Sequence, residues 1–371
     1  MRDPITLAVP GFFVLIGVEL LVARARRARV YRLADALTDL SCGVSSQIEA
    51  AFFAALQLSI YALLFDRFRA VTLPGWKAWA IAFVGVDFLY YWWHRLSHEV
   101  NLLWGAHVVH HQSEDYNLAV ALRQSITTSW SSLPFYLPLA FAGVPPLVFA
   151  VTHALSTLYQ FWIHTQLVGK LRGPIDWILN LPSHHRVHHA VNAQYLDKNY
   201  GATLIVWDRI FGTYVEEEEP CVYGITRPLG SLNPLWAQVH YFVELARRSL
   251  HLRGFDRARV WLASPAWVGR GETKYSADVL HRPKYDPTAP VGVRRYVFAQ
   301  YVLLLAGTSA LMTFKASLTL PALVAASVAL VGGLVAMGGL LEQKKWARTA
   351  EAARLAATVV AVIVLVHGRS G

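Results

Sequence analysis

A chain of 371 residues that is 55% hydrophobic and 16% charged, with a mean hydropathy of +0.35, is too apolar for an ordinary soluble protein of its size. Its net charge of +10 invites a nucleic-acid reading. Lys and Arg gather instead at the ends of apolar runs, which fits loops on the cytoplasmic side of a membrane, so no nucleic-acid partner is expected. The two cysteines, Cys42 and Cys221, lie far apart and outside any CxxC pair, which excludes a disulfide framework.

The first apolar run, 5–23, ends at Arg24, Arg26, Arg27 and Arg29, which the positive-inside rule places in the cytoplasm. No small-residue cleavage site follows it, so a span is expected rather than a cleaved secretory signal. A second run, 40–65, has a polar start. Pro74 and Gly75 lead to a third, 76–93, and His94 follows at once. Runs 126–142 and 147–163 flank Gly143, Pro145 and Pro146. So tight a turn predicts a hairpin that penetrates the membrane without a full loop outside. From 170 to 295 no long apolar run appears. Rich in Trp, Arg, Pro and Gly, that stretch reads as a cytoplasmic cap with interfacial helices. Glu216 to Glu219 reads as a solvated acidic turn. Runs 296–314, 320–341 and 350–367 close the chain, with Lys344, Lys345 and Arg348 between the last two, on the cytoplasmic side by count.

The fold expected is an all-α integral membrane protein, a multi-span helical bundle under a cytoplasmic histidine-rich cap. It divides into an N-terminal transmembrane helix (1–30), a histidine-bearing core with further transmembrane helices (31–220), a cytoplasmic or interfacial cap segment (221–295) and a C-terminal three-helix transmembrane segment (296–371).

Nine of the fifteen histidines form a pattern. His94 and His98 are four apart in HRLSH. His107, His110 and His111 follow in HVVHH, and His185, His188 and His189 repeat that spacing in HRVHH. His164 stands alone in FWIHT. Positions three and four apart share a helix face, so each cluster aims two or three imidazoles at one point. Counting crossings puts all nine on one side of the membrane, with the arginines after the first run. About four ligands satisfy one zinc, and nine donors suit two metal ions with positions left open. The spacing is not the H-E-x-x-H of zinc proteases.

Imidazole suits iron, copper, nickel and zinc alike. Two irons can bind dioxygen and carry it to attack on an unactivated C–H bond, whereas zinc has no redox chemistry. A site at the membrane implies a greasy lipid substrate that arrives sideways. Each ligand should donate its other ring N–H to a neighbouring group. Asp87, seven residues before His94 on the same face, together with Glu99, Glu114, Asp115 and Asp208, are the candidates, and Glu99 and Asp87 are the candidate catalytic residues. His184 points about 100° from His185 and should lie outside the metal site. His153 should pack in the bundle or line a substrate pocket. His240, His251, His281 and His367 have no partner spacing and read as surface or packing residues. A metal-handling or transport protein is the competing class, but transporters place their ionisable residues near mid-membrane.

The run DFLYYWWHRLSHEVNLLWGAHVVHHQSEDYNLAVALRQS, with YQFWIHT and LPSHHRVHHAVNAQYLDKNYGATLIVWDRIFGTYVEE, resembles the fatty acid hydroxylase and sterol desaturase superfamily of membrane diiron enzymes, closest to the alkylglycerol monooxygenase branch. The resemblance covers about residues 35 to 220. It implies two iron ions on the nine histidines named above, and an oxidoreductase that uses dioxygen to hydroxylate a lipid C–H bond, here the O-alkyl chain of a glycerol ether. The alternative it leaves is a sterol or fatty acyl hydroxylase or desaturase. Glu99 and the run Glu114-Asp115-Tyr116-Asn117 match that branch's surroundings of the metal site, and Gln166 stands where the animal enzymes carry Glu. The animal enzymes also imply tetrahydrobiopterin as electron donor. With no haem-binding motif outside the clusters, the electron donor is expected to be a separate molecule.

Overall fold

The computed structural model describes residues 4–267 and 277–367, and it is all-α. Residues 268–276 of the expected cap segment lie outside the described residues. In chain order the helices are α1 (Pro4–Ala25), α2 (Leu33–Phe68), α3 (Gly75–Glu99), α4 (Asn101–His111), α5 (Leu118–Ala121), α6 (Thr128–Phe141), α7 (Pro146–Trp162), α8 (Pro174–Ile178), α9 (Pro182–His188), α10 (Val206–Ile210), α11 (Pro234–His251), α12 (Asp256–Leu262), α13 (Val291–Phe314), α14 (Leu320–Leu341) and α15 (Lys345–His367). Among the described residues the only extended pairing is two isolated antiparallel bridges, Leu179–Leu204 and Ala190–Tyr223.

Among the described residues, four helical segments are long and apolar enough to cross a bilayer: Ala8–Ala25, Leu33–Phe68, Val291–Ser317 and Leu320–Leu341. The sequence offered more spans than these. At 25 residues α3 has the length, but Trp and Tyr make up much of its apolar content, and Lys77, Asp87, Arg95 and Glu99 break it with charge. With 14 and 17 residues, α6 and α7 are about 21 and 26 Å long, short of the roughly 30 Å hydrocarbon layer. A tight turn joins them. Gly143 stands in it with φ +87°, and a Cβ there would meet the Val71 carbonyl oxygen at 2.1 Å. Pro145 caps α7, and Pro146 starts it, where a missing N–H costs nothing.

The 36 residues of α2 run about 54 Å, longer than the membrane is thick. Its first turns therefore stand beside the histidine clusters, and there Asp35 and Asp39 are buried. One core joins this helix to the chain's end. Ala34, Leu37, Val44 and Ile48 pack with Val297, Tyr301 and Leu304 of α13 and Leu323, Leu334 and Met337 of α14. A second core ties Tyr61 of α2 and Val86 of α3 to Tyr136 and Leu139 of α6 and Phe149 of α7. The helix α11 packs its Tyr241 and Leu245 with Val108 of α4 and also meets α2 and α14 directly.

Candidate metal centre

The nine histidines come together, as two groups. His94, His98, His107, His111 and His188 form one, and His110, His164, His185 and His189 the other, with the ligand atoms of each group within 4.8 Å of one another. All nine are buried. The two H-x-x-H-H helices share them reciprocally. From α4, His107 and His111 enter the first group and His110 the second. From α9 and its cap, His185 and His189 enter the second and His188 the first. His94 and His98 arrive one turn apart from the end of α3, and His164 just past α7.

Main-chain carbonyls fix the rings. A carbonyl can only accept, so the nitrogen facing it carries the proton. His94 Nδ1 donates to Tyr200 O (2.8 Å), His110 Nδ1 to Arg123 O (2.9 Å), His164 Nδ1 to Gln160 O (2.7 Å) and His188 Nδ1 to Lys198 O (3.0 Å). Each neutral ring then presents a bare Nε2 lone pair to its group. His164 Nε2 and His110 Nε2 are 3.1 Å apart, both lone pairs, with no proton between them. His94 Nε2 lies 2.9 Å from His107 Nε2, while Nε2 of His98 and of His188 has no hydrogen-bond partner at all.

Protonation does not relieve this crowding. Burial first, and neighbouring imidazoles second, hold His107, His111, His185, His188 and His189 neutral well below the usual histidine range. Burial pushes His110 down to about 4. Neutral nitrogen donors converging in a dry pocket are the donor set that fits a divalent transition metal, so the residues present fit one ion per group.

The carboxylates proposed from sequence as ring partners bond elsewhere. Asp208 accepts from Tyr200 N (2.7 Å), Gly201 N (2.7 Å) and Thr213 Oγ1 (2.7 Å), and so builds the loop whose Tyr200 carbonyl holds His94. Asp87 accepts from Thr203 N, Leu204 N and Trp207 Nε1. Glu99 pairs with Arg95 (2.9 Å) at a partly exposed position. Glu114 accepts from Tyr285 N, while Asp115 binds Arg32 and Lys284. His184 is in neither group. It is buried, with Nε2 2.9 Å from Asp176 Oδ1. His153 packs between Tyr136 and Phe149. His240 Nδ1 lies 3.2 Å from the Ala237 carbonyl oxygen, His251 and His281 are exposed, and the side chain of His367 lies outside the described residues.

The acidic run is more than a solvated turn. Glu217 makes a two-armed ion pair with Arg186 (2.7 and 2.8 Å), and Arg186 Nη1 donates to Thr165 O and Val168 O beside His164. Sequence reasoning passed over Arg123 and Glu19. Arg123 is buried, donating to Val109 O, Asp39 Oδ1 and Gln112 Oε1 while its own carbonyl holds His110. Glu19, inside the first apolar run, accepts from Tyr31 OH, Leu118 N and Thr165 Oγ1, so α1 is tied to the residue after His164. A lone carboxylate in an apolar span was the available signal for Glu19.

Among known proteins, a sequence model of the fatty acid hydroxylase family matches residues 79–213, the stretch that carries all nine histidines. The alkylglycerol monooxygenase of Xenopus tropicalis is 40% identical over 314 residues, 82% of this chain and 70% of that protein. That of Homo sapiens is 38% identical over 362 residues, 95% of this chain and 81% of that protein. The ornithine lipid hydroxylase of Rhizobium tropici is 30% identical over 149 residues, 38% of this chain and 45% of that protein. No solved structure matches. Matches this long to the monooxygenases, over the spans as well as the histidines, mean that the chain belongs to the fatty acid hydroxylase family, in its alkylglycerol monooxygenase branch.

Proposed function

We propose that the protein is a membrane monooxygenase that uses dioxygen to hydroxylate the O-alkyl chain of a glycerol ether lipid at the carbon next to the ether oxygen. The product is a hemiacetal, which falls apart to a fatty aldehyde and the glycerol. The observation that carries the reading is the pair of buried groups of neutral imidazoles whose lone pairs face one another, in a chain of this family. The two groups would hold two iron ions, five imidazoles about one and four about the other. Bound iron supplies the one-electron redox chemistry that dioxygen needs and zinc lacks.

The chain's own residues prepare the site. Carbonyls of Tyr200, Arg123, Gln160 and Lys198 keep the Nδ1 protons in place and aim Nε2 inward. Tyr116 packs over His164 and His189 and closes that side against water, its hydroxyl turned away to donate to Ile163 O. The overall change, RH + O2 + 2 electrons + 2 protons to ROH + H2O, requires a separate donor. Tetrahydrobiopterin is the donor that the family resemblance implies. The positive-inside rule supports a cytoplasmic histidine end, the side from which the donor would act.

Membranes carrying the protein, given a 1-O-alkylglycerol, dioxygen and tetrahydrobiopterin, should release fatty aldehyde, and membranes carrying His188→Ala should release none. About two irons per chain in the purified protein support the reading. Labile zinc alone, or aldehyde release that survives in the variant, rejects it.

A further inference from the structure

Two arms of chain, residues 171–180 and 201–211, hang beside α3 below the level of the metal groups. They are joined by the Leu179–Leu204 bridge, by Asn180 N donating to Thr203 O (2.8 Å) and by Ile205 N donating to Ile178 O (3.0 Å). Asp87 suspends them through Thr203 N (2.7 Å), Leu204 N (3.2 Å) and the Trp207 indole (2.8 Å). Asp87 precedes His94 by seven residues, which places this attachment about 10 Å back along α3 from the metal groups. Phe88 packs on Trp207 and Trp92 on Phe211, with ring centroids 5.0 Å apart in each case.

The outward side of the arms is apolar. Trp177 is 64% exposed, Ile210 61%, Ile178 50% and Ile175 43%. All four stand open to the surroundings among the described residues. Above them Arg209 lies 4.3 Å over the Trp177 ring and 3.7 Å over the Tyr214 ring, and Arg172 is exposed with no carboxylate partner among the described residues. An aromatic and cationic rim over an apolar tip is the distribution of groups that meets phosphate headgroups above and acyl chain below. Backbone at that depth has to satisfy its own polar groups, and Asp87 does this for the two N–H groups of the turn at 203–204.

We propose that these arms form a foot seated in the bilayer leaflet on the histidine side, with phospholipid as its partner. The inference rests on the membrane-lipid reading above and adds where the protein meets the lipid outside its spans. Asp176, in the foot, bonds His184 of α9 (2.9 Å), which ties the foot to the helix that carries His185 and His188.

Full-length protein with Cys42 and Cys221 replaced by Ser, bearing a bimane label on Ile178→Cys or Ile210→Cys, tests this in phosphatidylcholine vesicles with and without brominated acyl chains. Both positions are exposed, so labelling leaves the packing intact. The labels should lose at least half as much fluorescence to bromine as one on Leu63→Cys, an exposed position of α2, and a label on Glu218→Cys should lose none. Unquenched labels at 178 and 210 beside a quenched label at 63 would overturn the foot and leave the lipid reading standing. Cross-linking of two copies through 178, in place of quenching, would assign the surface to a second copy and also overturn it. An unquenched label at 63 would overturn the foot together with the membrane reading beneath it.

Discussion

His110 and His164 hold two lone pairs 3.1 Å apart because both rings spend their protons on carbonyls. Only a cation relieves that contact in a dry pocket, so His110→Ala should lose at least half of the bound iron and about 100-fold in turnover, read by metal analysis and aldehyde release. His184 differs. His184→Ala breaks the bond to Asp176 at a cost of about 1–3 kcal/mol, and turnover should stay within about 10-fold with iron content unchanged. Equal iron loss in both variants would make His184 a ligand. Neutral imidazoles also set a pH dependence. His110 falls to about 4 in the fold against about 6.5 unfolded, so the unfolded chain binds more protons as the pH falls below 6.5. Stability of the metal-free protein is then full above pH 6.5 and is lost steadily down toward pH 4. Melting curves at stepped pH check the sign, and a metal-free protein that melts higher at pH 5 than at pH 7.5 would contradict it.

At the scale of elements, close approach between helices decides where the ligands sit. A Cβ on Gly43 of α2 would stand 2.3 Å from the Leu122 carbonyl oxygen, and Leu122 precedes the Arg123 whose own carbonyl holds His110. Gly43→Ala should therefore push that segment and loosen the four-histidine group. Reduced iron content, with a melting temperature lowered by roughly 1–3 °C for a loss of about 1–2 kcal/mol in a chain of this length, is the expected result; unchanged iron content would show that α2 does not set this distance.

The same helices show what was legible in the sequence. Intervals of three and four residues announce a shared helical face, so both H-x-x-H-H clusters and the exclusion of His184 could be read directly. The carbonyls of Tyr200, Arg123, Gln160 and Lys198 could not, because every residue carries a carbonyl and only the fold selects which ones meet a ring. Asp208 was visible as a nearby carboxylate, but its work on the Tyr200 turn depends on a loop that no periodicity predicts.

For the whole molecule, α13 and α14 share a core with α2, so the C-terminal spans support the helix whose Asp39 pairs with Arg123. Orientation is testable at this scale. With Cys42 and Cys221 replaced, a cysteine at the exposed Glu218 should resist a membrane-impermeant label in intact cells, and one at Asp66, at the other end of α2, should react. Labelling at 218 from outside would invert the molecule. Glu218 is a better probe than Glu217, whose carboxylate is held by Arg186.

The reciprocal sharing of α4 and α9 has a consequence for loading. Each helix sends two imidazoles to one group and one to the other, so seating a first ion orders both helices and prepares the second group. The ordering cost falls on the first ion, and the second binds more tightly. Iron added stepwise to the metal-free protein should pass from none to two per chain with little of the singly loaded form, which native mass spectrometry would resolve. The chain is built to be filled as a pair or left empty.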